Sequence, residues 1–290
     1  MIKHLMKKFA LSRDGAKGFI WAVVACVAQD LAFMLPVSLL YYLVNDFISG
    51  NPILTSHYYL YGFGCLGALL LIFITAFCKY NATYFTTYRE SGVKRVSLAE
   101  KLRKLPLSFF GKKDLADLTN TVMGDCATTE QMMSHYVPQF WGSLISTCLI
   151  AISMFAFDWR MALAALWVLP VTLIIVALSK RAQTYFTRKQ TEASVAVQDG
   201  IQECLDAVRD LKSNNAEKKY LQGLNKKIDR LEGRHIKSEL GSAMFVVPCS
   251  MILKFGIVTV ALVGGTLLMK GTLSLITFFM FLLVVSRIYE

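Results

Sequence analysis

Six stretches of this chain run for 15 to 27 residues with no more than one charged side chain each, and no other feature restricts its fold as tightly. They are 19–44 (FIWAVVACVAQDLAFMLPVSLLYYLV), 58–78, 136–157, 161–178, 243–269 and 272–286, the last continuing toward residue 290. A helix rises about 1.5 Å per residue and needs roughly 20 apolar residues to cross about 30 Å of hydrocarbon. Most of the six reach that length, and the sixth is short. At 55% apolar residues over 290 positions, the chain carries more apolar side chain than an ordinary soluble core uses. The expected class is an all-α integral membrane protein of six transmembrane helices in the cell (plasma or inner) membrane. The competing reading makes the six runs buried core helices of a soluble protein.

A formal net charge of +11 would suit a nucleic-acid binder, so the placement of the basic residues matters more than their total. Residues 1–18 hold five Lys or Arg, 79–113 hold nine and 180–237 hold thirteen. The alternate connections at 45–57, 158–160 and 270–271 hold only Arg160 and Lys270, which leaves Lys254 and Arg287 inside spans. Twenty-seven basic residues against two, on alternating connections, is the pattern of the positive-inside rule. It predicts that both termini and the two long connections are cytoplasmic, and that the basic surface meets lipid headgroups with no nucleic acid partner.

Residues 1–18 (MIKHLMKKFALSRDGAKG) lack a small-residue cleavage pattern, and the apolar run that follows is too long for a signal peptide. Ile2, Leu5, Met6, Phe9 and Ala10 recur at helical spacing between Lys3, Lys7 and Lys8, which predicts an amphipathic N-terminal elbow helix lying on the membrane surface. A frayed basic tail is the alternative. Of the seven cysteines, Cys26, Cys65, Cys78, Cys148 and Cys249 fall within spans, and none forms a C-x-x-C pair. His4, His57, His135 and His235 are scattered, so no metal site is expected. A formal G-x-G-x-x-G at Gly62, Gly64 and Gly67 lies inside an apolar span rather than between a strand and a helix, and reads as close helix packing.

The long connections carry the information about function. From Tyr80 to Leu105 there is no proline or glycine pair, so the second span's helix is expected to project some 35 to 40 Å beyond the bilayer. Pro106 then ends it, and Ser108 or Asp114 can cap a new start. Residues 180–240 repeat the pattern, with an interruption expected at Ser213, Asn214 and Asn215. Two helical hairpins of this length imply a partner at their tips.

These residues resemble the transmembrane domain of ATP-binding-cassette exporters, the six-helix type IV arrangement, over nearly the whole chain. Pro106, Leu107, Phe109, Phe110, Asp117, Leu118 and Asp125 fall in register with that family's first intracellular loop, with Ala116 in place of its usual glycine. Glu203, Arg209, Lys212 and Glu217 match the second loop, with Ala207 again replacing glycine. GGTLLMKGTLSLITFFMFL is similar to the family's glycine-punctuated approach to the sixth helix. The resemblance implies that the long cytoplasmic loops end in coupling helices that dock on nucleotide-binding domains. These would involve Lys113, Asp114, Leu115, Ala116, Asp117 and Leu118 in the first tip, and Ser213, Asn214, Asn215, Ala216 and Glu217 in the second. The plainer reading has Phe109 and Phe110 packing the hairpin and the acids capping helices.

No G-x-x-x-x-G-K-[ST] phosphate loop occurs, so no catalytic residue is assigned to this chain and no cofactor is expected on it. ATP and magnesium would sit on a nucleotide-binding domain, expected after residue 290 or on a separate subunit. Six helices make half of the family's twelve-helix pathway, which implies a second half-transporter, identical or not. An ion-coupled carrier is the alternative, but it would need a chain of intramembrane acids and an inverted repeat, and Asp30 is the single such acid. A membrane-embedded enzyme has no nucleophile with a base, nor a metal set, to support it. Export is the family's usual direction. FMLPVSLLYYLV is similar to a smaller group of the same fold linked to iron-siderophore uptake, which keeps import open.

Charged groups at membrane depth cost some 2.5 to 3.5 kcal/mol or more against lipid, so they should face the interior. This marks Gln29, Asp30, Phe33, Lys254, Phe255 and Arg287 as a candidate substrate cavity. Lys254 and Arg287 would supply positive charge to an anionic or metal-chelate substrate, with Phe33 and Phe255 as apolar wall. In the competing reading Asp30 and Lys254 neutralise each other, while Arg287 snorkels to the headgroups.

Overall fold

A computed structural model describes residues 2–9, 11–48, 55–110 and 121–289. Every regular element among them is helical, and most breaks fall where the sequence removes a donor or supplies a left-handed residue. After α1 (Ile2–Phe9), α2 (Arg13–Ala32) starts at Ser12, whose backbone is extended and whose Oγ accepts from the Gly15 amide at 3.0 Å. Pro36 has no N–H for the Ala32 carbonyl, so α2 ends there. The chain turns at Phe33–Met34 and restarts as α3 (Leu35–Ile48), with Pro36 in a first turn that needs no donor. Pro36 thus breaks the helix within the first span.

α4 (Thr55–Tyr80) runs through a π-helical turn at Asn81–Phe85 into α5 (Thr86–Arg103), so helix continues from apolar into polar sequence as expected. Pro106 stops it, and a single turn α6 (Leu107–Phe110) follows. Another π turn (Thr121–Asp125), α7 (Cys126–Gln131) and a further π turn (Met132–Tyr136) lead into α8 (Val137–Phe157). Buried Pro138 in the first turn of α8 has no donor for the Ser134 carbonyl, which accounts for the widened turn before it.

Asp158, in extended conformation, ends α8, and α9 (Trp159–Leu166) follows. Then come α10 (Val168–Asp206), α11 (Val208–Ser213), α12 (Glu217–Met269) and α13 (Leu275–Ile288). With 39 and 53 residues, α10 and α12 extend about 60 and 80 Å, at least twice the hydrocarbon thickness. Each is apolar in one part and polar in the other, and Pro248 interrupts the hydrogen-bond ladder inside α12. Gly271, at φ +69°, closes the end of α12: the Thr272 amide donates to the Leu267 carbonyl and Gly271 to Leu268, the paired bonds of a Schellman turn. Five helical stretches among the described residues are long and apolar enough to cross a membrane, with α13 as a shorter sixth.

The chain divides into two units, residues 1–159 with 267–288, and residues 160–266 with Tyr289. In the first, α2 contributes mostly small buried side chains: Ala22, Ala25 and Cys26. A Cβ at Gly142 of α8 would overlap that of Cys26, and such small contacts are how helices close on each other where no hydrophobic force separates them from lipid. Of the three span glycines only Gly64 meets a neighbour, Leu39, while Gly62 and Gly67 face open space. At the polar end, the half-buried start of α2 is tied to α5. The Ser12 amide and hydroxyl both donate to the buried Glu90 carboxylate at 2.6 Å, and Lys94 donates to the Phe9 carbonyl at 3.2 Å. Arg95 pairs with Glu130 at 3.1 Å. In the second unit, Met161, Ala162, Ala165, Val168 and Val260 are the most deeply buried apolar side chains. There the Trp167 indole donates to the Thr259 hydroxyl at 3.1 Å, and that hydroxyl donates to the Ala164 carbonyl at 2.8 Å.

Candidate functional site

A cavity of about 580 Å³ opens inside the first unit, walled by α2, the end of α4, α8 and α13. Helical spacing builds it. Asp30, Phe33 and Met34 lie one turn apart at the end of α2, and Gln139, Ser143, Ser146, Thr147 and Ile150 recur every three or four residues along α8. The two stripes join through hydroxyls. Ser146 donates to the Asp30 carboxylate at 2.9 Å, Ser143 approaches the same oxygen at 3.4 Å, and the Gln139 amide donates to Ser143 at 3.0 Å. Arg287 of α13 lays its guanidinium over the Phe33 ring, 4.4 Å from the centroid, and Lys79 enters from the last turn of α4.

The structure therefore brings together three of the sequence candidates, Asp30, Phe33 and Arg287. Gln29 is adjacent, with its Oε1 buried and without a hydrogen-bond partner among the described residues. Lys254 and Phe255 belong to the second unit, where both are exposed, and Asp30 has serine hydroxyls as its hydrogen-bond partners. Sequence reasoning missed Lys79, Gln139, Ser143, Ser146 and Thr147. The α8 stripe was visible as polar residues at 139, 143 and 146–147, three or four apart on one helical face inside an apolar run, whereas Lys79 sits at a span's end and read as a boundary charge.

The first hairpin tip, Lys113, Asp114, Leu115, Ala116, Asp117 and Leu118, lies outside the described residues. The second is a Schellman turn like the one at Gly271. Asn215 takes the left-handed position at φ 53°, the Ala216 amide donates to the Leu211 carbonyl at 2.9 Å, and Asn215 donates to Lys212 at 3.2 Å. Ser213 Oγ and Asn214 Nδ2 both donate to the Asp210 carbonyl, at 3.1 and 2.8 Å, and Glu217 opens α12. Behind the tip, Tyr220 bridges the hairpin arms by donating to the Gly200 carbonyl and the Glu203 carboxylate, both at 2.9 Å. Desolvation, and then the bond to Glu203, push its hydroxyl up to about 12. A raised tyrosine keeps its proton below its ordinary value and loses it only as pH rises through the shifted one, so this bridge holds throughout the neutral range.

The chain matches the family described as the ABC transporter transmembrane region over residues 19–289. It is 22% identical, over 94% of its length, to a multidrug resistance ABC transporter ATP-binding and permease protein of Lactococcus lactis subsp. lactis (strain IL1403), covering 45% of that protein. To an ATP-dependent lipid A-core flippase of Syntrophus aciditrophicus (strain SB) it is 23% identical over 78% of its length and 38% of the relative. To a multidrug resistance-like ATP-binding protein MdlB of Buchnera aphidicola subsp. Baizongia pistaciae (strain Bp) the figures are 21%, 56% and 30%. The chain thus spans less than half the length of these relatives. With a match that runs from the first predicted span to the end of the sixth, the chain belongs to the family of ABC transporter transmembrane regions.

Proposed function

We propose that this chain forms half of the membrane pathway of an ATP-driven exporter. ATP and magnesium are held on a nucleotide-binding domain, and a second six-helix half, identical or not, completes the pathway. The observation that carries the reading is the family match together with relatives that are named as ATP-binding and permease proteins and run to more than twice this length. The ATPase closes on nucleotide and pulls on the hairpin tips at 113–118 and 213–217. Alternating access follows as the helices rock about them. Siderophore uptake draws no support from relatives named as multidrug resistance proteins and a flippase, and the carrier alternative draws none from a family match of this extent.

The Schellman turn supports the coupling role because it presents Ser213–Glu217 as one fixed knob rather than a loose loop. The test is substrate-stimulated ATP hydrolysis by the complete transporter in proteoliposomes. Glu217→Arg reverses a charge on the knob, and Asp117→Lys does the same on the other tip. Each is expected to reduce stimulation by about tenfold, the loss of roughly one charged contact, while assembly and folding are kept. Unchanged stimulation in both variants would remove the tips from coupling, and no magnesium-dependent hydrolysis at all by the complete protein would overturn the transporter reading.

A further inference from the structure

The foot of the first span is built onto the first hairpin through contacts spaced one turn apart along α5. Thr86, Glu90 and Lys94 recur every four residues, and they meet in turn Gly18, then Ser12 with Gly15, then the Phe9 carbonyl. Glycine is what lets the two helices approach here. A Cβ at Gly15 would overlap the Glu90 carboxyl group, and one at Gly18 would overlap Cγ2 of Thr86. Between the two glycines, the buried Glu90 carboxylate takes the Ser12 amide and hydroxyl at 2.6 Å each, while the same hydroxyl oxygen accepts from the Gly15 amide. No lysine or arginine lies within ion-pair distance of Glu90 among the described residues, so its charge is met by these hydrogen bonds and by the positive end of α2. A buried carboxylate is costly unless its hydrogen bonds persist, which favours a junction that stays closed.

We propose that Glu90 is a positioning residue for coupling: it locks the foot of the first span to the first hairpin, so that movement of the hairpin reaches the polar cavity through α2. This rests on the transport reading and adds a route to it. On one side of the lock, α5 runs on from Glu90 to Arg103, about 20 Å toward the tip. On the other, α2 runs from Arg13 to Ala32 as one helix of about 30 Å and carries Asp30 to the cavity wall, with Phe33 just past its end. The break at Phe33–Met34 follows at once. A tilt at the foot of α2 is therefore delivered to Asp30 and Phe33 and absorbed at that joint rather than passed on to α3. Ser12 is the pivot, because it caps α2 and carries both donors to Glu90.

The experiment measures ATP hydrolysis by the complete transporter in proteoliposomes, with a cross-link that can replace the lock. A Cβ at Gly18 lies 3.1 Å from Thr86 Cβ, close to the separation of a disulfide, so Gly18→Cys with Thr86→Cys places a reversible bond one turn from Glu90 and removes the Cγ2 that stands in the way. Glu90→Ala is expected to lower substrate-stimulated hydrolysis about tenfold, the order of one charged hydrogen bond, while basal hydrolysis is kept. Ser12→Thr, which retains both donors, keeps stimulation, and Ser12→Ala weakens it. Oxidising the cysteine pair in the Glu90→Ala background restores stimulation, and reduction removes it again. A group that only held the fold together would lower basal and stimulated rates alike. With Glu90 in place, the cross-link forms equally with and without trapped nucleotide and leaves stimulation intact. Glu90→Gln, which keeps an acceptor and loses the charge, serves if Glu90→Ala fails to assemble, and the cross-link with Glu90 in place decides the case if neither does. Full stimulation in the Glu90 variants, no recovery on oxidation, or a cross-link that abolishes stimulation while Glu90 is present overturns the proposal. The two failures look different: no magnesium-dependent hydrolysis by the unaltered protein ends the transport reading, whereas hydrolysis whose stimulation ignores Glu90 ends this inference alone.

Discussion

Gly142 shows how a single residue sets the distance between two helices. In a helix interior, Gly→Ala ordinarily gains about 0.5 to 1 kcal/mol from reduced backbone freedom. Here the added methyl would overlap the Cβ of Cys26, a fully buried side chain with no room to retreat. Overpacking of that kind costs about 1 to 3 kcal/mol, which exceeds the propensity gain. Gly142→Ala is therefore expected to lower stability, against the usual sign. Cys26→Gly loses about 1 kcal/mol of propensity on its own but removes the clashing atom, so the double variant should be more stable than the sum of the two single effects. Thermal melts by circular dichroism in detergent measure all four corners of the cycle. Strict additivity would show that the helices simply move apart. The same closeness brings Ser143, the next residue, and Ser146, one turn further along α8, to the Asp30 carboxylate, so the separation that Gly142 permits also shapes the polar cavity.

At the scale of elements, the turns at 267–272 and 211–216 use the same hydrogen-bond pattern with different residues in the left-handed position. Gly271 adopts it without cost, whereas Asn215 does so at modest strain and gains a side chain that can hydrogen-bond locally. Asn215→Gly should leave the tip intact or firm it slightly. Asn215→Val places a β-branched residue at positive φ, a penalty of about 1 to 2 kcal/mol, and should fray the turn without touching the rest of the chain. Hydrogen exchange reports this directly: the Ala216 amide, protected by the Leu211 carbonyl, should lose protection in the Val variant and keep it in the Gly variant. Equal protection in both would mean that the tip is held by its arms, through Tyr220 and Glu203, rather than by its own backbone. Much of this was legible in the sequence. Pro106 and Asn214–Asn215 each mark a break, because a missing donor or a tolerated left-handed residue acts locally. The π turns were not legible, since a widened turn depends on what packs against it and Ala82 and Thr83 look like ordinary helix. The cavity was half legible: Asp30 and Arg287 stand out as charges in apolar runs, but which cation shares a wall with Asp30 depends on helix rotation, which periodicity alone does not supply.

At the scale of the whole molecule, the sidedness of the chain follows from charge and from the count of crossings. α5 continues the second span and α10 continues the fourth; with two crossings between them, their polar ends are expected on the same side. Asp158, between the third and fourth spans, is then expected on the opposite side, as a one-residue connection without a basic side chain. Twenty-seven Lys and Arg accompany the first side and two the second. Each basic residue near an anionic inner leaflet contributes about 1 kcal/mol, and inverting the chain would also require carrying two long polar hairpins across the hydrocarbon. The charge term and the translocation term have the same sign, so one orientation should dominate: hairpins and termini inside, residues near 50 and 158 outside. Alkaline phosphatase fused after residue 50 or 158 is expected to be active, and fusions after 110 or 215 inactive, with the opposite pattern for a fluorescent protein that matures only in the cytoplasm. Replacing the five basic residues of 1–18 should loosen the first span's orientation but not invert the protein, because 79–113 and 180–237 still hold twenty-two. Phosphatase activity at 215 in the unaltered chain would place the proposed coupling tip away from any ATP supply and end the transporter reading with it.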